Sequence, residues 1–321
     1  MKILLTGGAG FIGSCFLWKL NQEGITDVIV VDNLHNDRKW RNLLGKRFRE
    51  FVSKDALFPR LLRGDFGHLD AIVHLGARTD TTNTELATLL MDNYEYSKTL
   101  ARYAVEHGIR FLYASSAATY GAGEQGFQEC QLWQLHPLNA YGFSKHLFDC
   151  WAAAEGILDQ AVGVKLFNVY GPNEYHKGPM ASLVWKGFQQ IQHSGRLRLY
   201  KSHVPQYSDG EQKRDFVYVK DVVEVLWKLL LHRELHGLYN VGTGQARSWN
   251  ELAQALFAAM GRTPEIEYVP MPEELRSQYQ NFTQADITKL QHSPAAHLFT
   301  PLEEGVQDYV QGYLLSGRLY L

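Results

Sequence analysis

Residues 2–13 read Lys-Ile-Leu-Leu-Thr-Gly-Gly-Ala-Gly-Phe-Ile-Gly. A short apolar run passes straight into Gly7, Gly10 and Gly13, and an apolar stretch of helical character follows through Phe16, Leu17, Trp18 and Leu20. Strand, glycine turn, helix is the order that seats a dinucleotide pyrophosphate on a helix N-terminus. Glycine is needed there because a Cβ would hold the backbone off the phosphates and the helix off the sheet. The pattern asks for an acid about 20 residues further on. Asp32 meets it, at the end of the apolar run Val28-Ile29-Val30-Val31.

Outward from this stretch, strand candidates fall at 2–6, 27–31, 70–75, 109–114 and 161–167, with helical stretches at 11–23, 86–107 and 141–155. Apolar runs without alternation predict strands buried on both faces, hence a parallel sheet. Repeated βα units predict a doubly wound α/β (Rossmann) fold. The region 36–66 is less periodic. After about residue 168 turn residues multiply, and 195–213 reads as polar and irregular. The expected organisation is a dinucleotide-binding domain over 1–167 and a smaller C-terminal α/β substrate domain over 168–321, with segments near 212–245 returning to the first. Asp215–Val219 and Tyr239–Gly242 read as strands, and Asp221 as the N-cap of a helix over 222–231.

Composition narrows the class. Hydrophobic residues make up 45% of the 321 and charged residues 21%, as in ordinary globular proteins. A net charge of −2 gives no sign of a nucleic-acid surface. Cys15, Cys130 and Cys150 form no C-x-x-C pair, so neither a metal site nor a redox disulfide is indicated. No apolar run reaches the 18 or so residues of a membrane span, and nothing resembling a signal peptide precedes the first strand. The expected location is the cytoplasm, with no membrane partner.

A second pattern carries chemistry. In Tyr141-Gly142-Phe143-Ser144-Lys145 a phenol and an ammonium stand four apart, on one face if the segment is helical. A nearby ammonium favours the tyrosinate, so the phenol can exchange a proton near neutral pH. In isolation such a pair is ordinary helix surface. Upstream, the buried strand Phe111–Ala114 ends in Ser115, Ser116 and Thr119, at the strand edge where ligands bind in this architecture. Ser116 precedes Tyr141 by 25 residues.

The G-x-x-G-x-x-G spacing, the serine cluster and the Tyr-Lys pair together resemble the extended short-chain dehydrogenase/reductases that act on nucleotide sugars. Further segments are Asn168-Val169-Tyr170-Gly171-Pro172, His176-Lys177-Gly178, Arg214–Val219 and Phe282–Asp286. With them, the chain from Lys2 to its C-terminal region is similar to the ADP-L-glycero-D-manno-heptose 6-epimerases. That resemblance implies an isomerase that oxidises carbon 6 of the heptose to a transient ketone and re-reduces it from the opposite face with a recycled NADP. Tyr141 and Lys177 would be the two bases, assisted by Lys145 and Ser116. Lys145 would also hydrogen-bond the nicotinamide ribose.

The resemblance places Gly7, Gly10, Phe11, Ile12, Gly13, Asp32, Asn33, Lys39, Lys54, Leu75, Gly76, Ala77, Asn93, Lys145, Val169 and Lys177 at the cofactor. It places Ser116, Asn168, Pro179, Lys186, Arg214 and Tyr279 at the substrate. Asp32 by itself favours NAD, because it accepts ribose hydroxyls and repels a 2′-phosphate. Lys39 and Lys54 match the lysines that offset this in the family, so NADP is expected and NAD remains an alternative. Pro179, Lys186 and Leu75 depart from the family's usual serine, histidine and acid, and the segment around 201–212 is longer than usual. Family members form homo-oligomers, reported as pentamers, and supply heptose to the lipopolysaccharide inner core. A UDP-sugar 4-epimerase and a non-catalytic dinucleotide-binding regulator are the alternatives. A dehydratase would need acids where this chain has Ala117 and Ala118.

Overall fold

The run Ile3–Thr6 forms β1, with every residue buried and a partner strand on each side. The computed structural model describes residues 1–34, 38–79 and 85–321. Residues 36 and 37 of the weakly periodic region lie outside them. Around β1 lie β2 (Val28–Asp32), β3 (Glu50–Ser53), β4 (Ala71–His74), β5 (Arg110–Ser116), β6 (Ala161–Leu166) and β10 (Gly237–Val241). They form one parallel sheet in the order β10-β6-β5-β4-β1-β2-β3. This is the doubly wound Rossmann arrangement expected from the apolar runs. Successive residues of β1 enter opposite cores: Ile3 and Leu5 join one cluster, Leu4 the other. Each such fully buried side chain contributes about 1.5–3 kcal/mol.

Helices α1 (Phe11–Gln22), α2 (Lys54–Leu62), α3 (Leu86–Leu90), α4 (Tyr96–Glu106) and α5 (Ala140–Ala154) link these strands. A π turn over Met91–Glu95 joins α3 to α4. The sheet's winding reverses between β1 and β4. Their paired ends, Thr6 beside His74, bring the loops that follow them together at the C-terminal edge, where ligands collect in open α/β sheets.

The rest of the chain stands over that edge. A three-stranded sheet runs β11 (Ala246–Ser248), β9 (Lys213–Tyr218), β7 (Asn168–Tyr170), and β8 (Leu197–Tyr200) pairs in parallel with β12 (Ile266–Val269). Helices α6 (Leu183–Ser194), α7 (Val219–Leu231) and α8 (Trp249–Ala259) pack beside them. Within 212–245, α7 lies against α1 and β10 joins the main sheet, whereas β9 belongs to the smaller one.

Two local readings need correction, and one region left open resolves into defined elements. The stretch 195–213 contains β8, where only Leu197 and Leu199 alternate inward. The region 36–66 holds β3 and α2, the latter continuing through Pro59. Asp221 does not cap a helix. The helix starts at Val219, and Asp221 in its first turn accepts from His297 Nε2 (2.9 Å), Thr300 N (2.9 Å) and Thr300 Oγ1 (3.0 Å). Those tertiary partners take the carboxylate that would otherwise cap the helix.

Candidate active site

The glycine turn closes on itself, with Gly10 N donating to Gly7 O at 2.9 Å. Gly7 has φ 69°, and a Cβ there would stand 2.5 Å from Gly76 N, so the loops after β1 and β4 meet backbone to backbone. Gly10 caps α1 without a side-chain acceptor, which leaves first-turn N–H groups for a ligand. A cavity of about 430 Å³ follows, lined by Gly7, Gly10, Phe11, Ile12, Gly13, Asp32, Lys39, Leu75, Gly76 and Ala77 among others. Asp32 accepts from Ala9 N (2.9 Å), Asn33 N (2.8 Å) and Lys39 Nζ (2.6 Å). Its carboxylate thus braces the glycine turn and pairs with a lysine. Lys54 pairs with Asp92, which also accepts from Arg78 Nε at 2.9 Å. Asn33, Lys39, Lys54 and Arg78 line an adjoining recess of about 210 Å³.

Beneath this floor His74 is buried. Ser97 Oγ donates to Asn93 O, so His74 Nε2 must donate to Ser97 Oγ (2.9 Å) and Nδ1 must accept from Thr6 Oγ1 (2.6 Å). Burial holds this imidazole neutral, with its pKa lowered to about 3, helped by the charges of Lys145 and Lys54.

The main cleft, about 690 Å³, opens beside the cavity at the glycine turn. Ser116 ends β5, and its Oγ accepts from Ala118 N at 3.1 Å. Tyr141 and Lys145 lie one turn apart on α5, whose start is capped by Asn139 Oδ1 accepting from Gly142 N at 2.8 Å. A Cβ at position 142 would stand 2.7 Å from Ala118 O, so glycine there lets α5 press against the Ser116 turn. The Tyr141 phenol faces the Ser116 side chain, and both line the main cleft. Burial and the Asp149 charge hold the phenol above its ordinary pKa, against the influence of Ser116. The phenol is therefore not pushed toward tyrosinate, contrary to the effect expected from the lysine alone. Lys145 is buried, which lowers its pKa to about 8, with Asp149 opposing and Lys165 assisting.

Lys177 reaches both cavities, its Nζ 5.5 Å from the centre of the Phe11 ring. It rides on a short helical turn, Tyr175–Met180, broken at Gly178. Burial lowers its pKa, Glu174 opposes this and Lys186 adds to it. Glu174 is fully buried and accepts from Ser182 N (2.6 Å) and Ser182 Oγ (2.7 Å). Asn42 Nδ2 donates to Ala9 O (2.9 Å) and Asn173 O (3.0 Å), and Asn173 Nδ2 donates to Ser14 Oγ (2.9 Å). These bonds rivet the Lys177 loop to the glycine turn.

The sequence model of the NAD dependent epimerase/dehydratase family matches residues 3–242. The chain belongs to that family. It is 50% identical over 321 residues to an ADP-L-glycero-D-manno-heptose-6-epimerase of Nitratidesulfovibrio vulgaris, covering 99% of each chain. With the Fusobacterium nucleatum protein of the same name it shares 43% over 331 residues, covering 99% of this chain and 100% of that one. Among solved structures, the Helicobacter pylori ADP-L-glycero-D-manno-heptose-6-epimerase superposes with a TM-score of 0.83 at 30% identity, covering 97% of this chain and 95% of that one. A Thermus thermophilus UDP-glucose 4-epimerase in complex with NAD superposes at 0.79 with 27% identity, covering 97% and 98%.

Within this family frame, the main cleft gathers Ser116, Tyr141, Lys145, Asn168, Val169, Lys177, Lys186 and Tyr279, together with Phe11, Ile12, Leu75 and Ala77 from the cofactor side. Arg214 does not line the cleft; it is buried behind two residues that do, its guanidinium 4.7 Å from the Tyr279 ring centre and 5.8 Å from that of Trp249. Pro179 lines the cofactor cavity, and its carbonyl accepts from Lys186 Nζ at 3.0 Å. Asn93 lines neither cavity. It sits in the π turn, bonded to Arg78 N, Arg78 O and Ser144 Oγ at 2.8–3.0 Å, and supports the wall from behind.

Sequence reasoning missed Arg78, although it directly follows Leu75-Gly76-Ala77 at the end of β4. It also missed Arg198, Tyr200 and Trp249 at the far end of the main cleft. No local pattern marks those three. Glu174 and Asn42 were missed too, because polar residues in a turn-rich stretch look solvated until the fold buries them.

Proposed function

We propose that this protein interconverts ADP-D-glycero-D-manno-heptose and ADP-L-glycero-D-manno-heptose at carbon 6, using NADP that is kept and recycled. The observation that carries the reading is the presence of two separate proton-transfer groups, Tyr141 and Lys177, in one cleft with Ser116 and Lys145. The glycine turn fits the dinucleotide, since the close backbone approach at Gly7 and Gly76 leaves a floor without side chains. When bound, the dinucleotide supplies a reversible hydride acceptor. Lys39, Lys54 and Arg78 around the recess beyond Asp32 support a 2′-phosphate there, hence NADP over NAD. In this reading 1–167 with β10 forms the cofactor domain, and the remainder of 168–321 forms the substrate lobe.

The two bases arrive in complementary states. Burial holds Tyr141 above its ordinary pKa, so the phenol stands ready to donate to a developing alkoxide. Burial holds Lys177 below its ordinary pKa, which enlarges the share of neutral amine able to accept a proton from a hydroxyl. An epimerase meets its hydroxyl in two orientations and needs a group for each. Ser116 orients the sugar oxygen toward Tyr141. Arg214, Tyr279, Lys186 and Asn168 hold the nucleotide and the sugar, the guanidinium fork suiting phosphate oxygens. Ala117 and Ala118 offer no acid for expelling a hydroxyl, which favours epimerisation over dehydration.

The test is incubation of the purified protein with ADP-D-glycero-D-manno-heptose and no added nucleotide, followed by proton NMR. The expected result is a mixture containing the L-glycero epimer with no net NADPH. Absence of conversion, even with NADP or NAD added, overturns the heptose reading, and turnover of a UDP-sugar would replace it with a 4-epimerase. The same reading makes the protein a homo-oligomer that supplies heptose for lipopolysaccharide core assembly. Among the described residues no helix is long and apolar enough to cross a membrane.

A further inference from the structure

Directly behind the Tyr141–Lys145 face lies an ion pair with no exposure at all. Lys165, near the C-terminal end of β6, and Asp149, on α5, meet at 2.7 Å, both side chains 0% exposed. Asp149 stands one turn beyond Lys145 and two beyond Tyr141 on the same helix. Its carboxylate also accepts from Tyr113 OH (2.9 Å) and Ser115 Oγ (2.6 Å). Lys165 Nζ donates to Thr119 Oγ1 (2.7 Å) and lies 5.0 Å from the centre of the Tyr120 ring. Thr119 Oγ1 in turn donates to Ser116 O at 2.8 Å.

A buried ion pair is a weak source of stability, because a well-packed apolar pair of the same volume commonly does as well or better. Core packing alone therefore does not account for it. Its bonds end on the neighbours of the reacting groups. Ser115 adjoins Ser116 and is tied to Asp149, and Thr119, tied to Lys165, holds the Ser116 carbonyl. We propose that the Asp149–Lys165 pair is a positioning element for the acid–base chemistry, locking Ser116 to α5 and setting the field in which Lys145 and Tyr141 exchange protons. This rests on the roles given to those three residues above.

The charges around the pair are few. Lys145 is faced by Asp149 on its own helix, by Lys165 from β6 and by neutral His74 from β4. The Asp149 carboxylate is faced by Tyr113 from β5, by His146 and Cys150 on α5, and by Tyr120 from the turn after β5. Asp149 raises the pKa of both Lys145 and Tyr141, and Lys165 lowers that of Lys145. Removing the carboxylate and removing the ammonium should therefore act in opposite directions.

The test is the pH dependence of heptose epimerisation by the intact chain, read for Asp149→Asn, Lys165→Met and the double variant. Asp149→Asn should move both limbs of the profile to lower pH and Lys165→Met should move the limb set by Lys145 to higher pH, each by about half a unit or more. In the double variant the limb set by Lys145 should return toward its wild-type position. Folding is checked by melting and by bound nucleotide. Should either single variant fail to fold, Tyr113→Phe keeps the ring and removes one donor from Asp149, and both limbs should then rise. Unmoved limbs in folded variants, or shifts of one sign for both, overturn the proposal and leave the pair a structural strut. Tyr141→Phe separates the two failures. Full turnover in that variant sinks the acid–base reading itself, whereas an inactive Tyr141→Phe with unmoved limbs sinks only the role of the pair.

Discussion

At the dinucleotide end of the cleft the surface where β1 and β4 end is backbone: Gly7, Gly10, Gly13 and Gly76. At the sugar end it is side chains. Asn168, Lys186, Trp249 and Tyr279, with Arg214 behind, come from five separate stretches of chain. The first end is fixed by a contiguous dozen residues and a sheet register. The second exists only when the smaller sheets and α6 and α8 stand over the sheet edge. Backbone-made surface tolerates side-chain change and fails when a Cβ is added, and side-chain-made surface behaves the other way.

The largest effects should fall where the two ends meet. Tyr141→Phe and Lys177→Met should each lower turnover about 10²–10⁴-fold with nucleotide still bound, measured by epimerisation rate and by nucleotide released on denaturation. A silent Lys177→Met would make Lys177 a binding lysine and move the reacting groups wholly to the Tyr141 side. At the cofactor end, Gly7→Ala combines a positive φ with a backbone clash and should yield protein without bound nucleotide, destabilised by about 1–3 kcal/mol. Full occupancy in that variant would break the claim that backbone makes this end. At the sugar end, Arg214→Met should raise KM roughly ten- to a hundredfold with little change in kcat, as loss of a charge-assisted contact to phosphate. An unchanged KM would break the other half of the comparison.

Acid tests the floor the two ends share. The folded pKa of His74, about 3, lies below its ordinary value of 6.5, so between those values the unfolded chain takes up a proton that the folded one refuses. Stability should fall as pH drops below about 6.5, by at most about 1.4 kcal/mol per unit from this group, and a His74→Gln chain should lose that slope in urea melts. The smallest effect should come from Lys39→Met, which removes the partner of Asp32 and should cut the preference for NADP over NAD only a few-fold. A larger switch in cofactor choice would give side chains the weight assigned here to backbone.

The same division governs what the sequence could tell. β1, the glycine turn and α1 are local, so spacing alone locates them. Tyr141 and Lys145 are local too, four residues apart on one helix. The pair Asp149 and Lys165 is not, because each looks like an ordinary surface charge until β6 and α5 bury both. β8 escaped because two inward leucines separated by an arginine make too short an alternation. Asp221 was misread because an acid at a helix start has a plausible local task, and only the fold brings His297 and Thr300 to it. The state of Tyr141 was misjudged for a related reason: sequence spacing supplies the ammonium but not the burial that raises the phenol's pKa.

Asn42 Nδ2 donates to both Ala9 O and Asn173 O, so the glycine turn and the turn that carries Lys177 share an anchor. If Lys177 acts as proposed, seating the dinucleotide and placing that lysine should each favour the other by reciprocity. An enzyme that must reduce what it has just oxidised would gain from such coupling, because loosening the cofactor would also loosen the group needed for the return step.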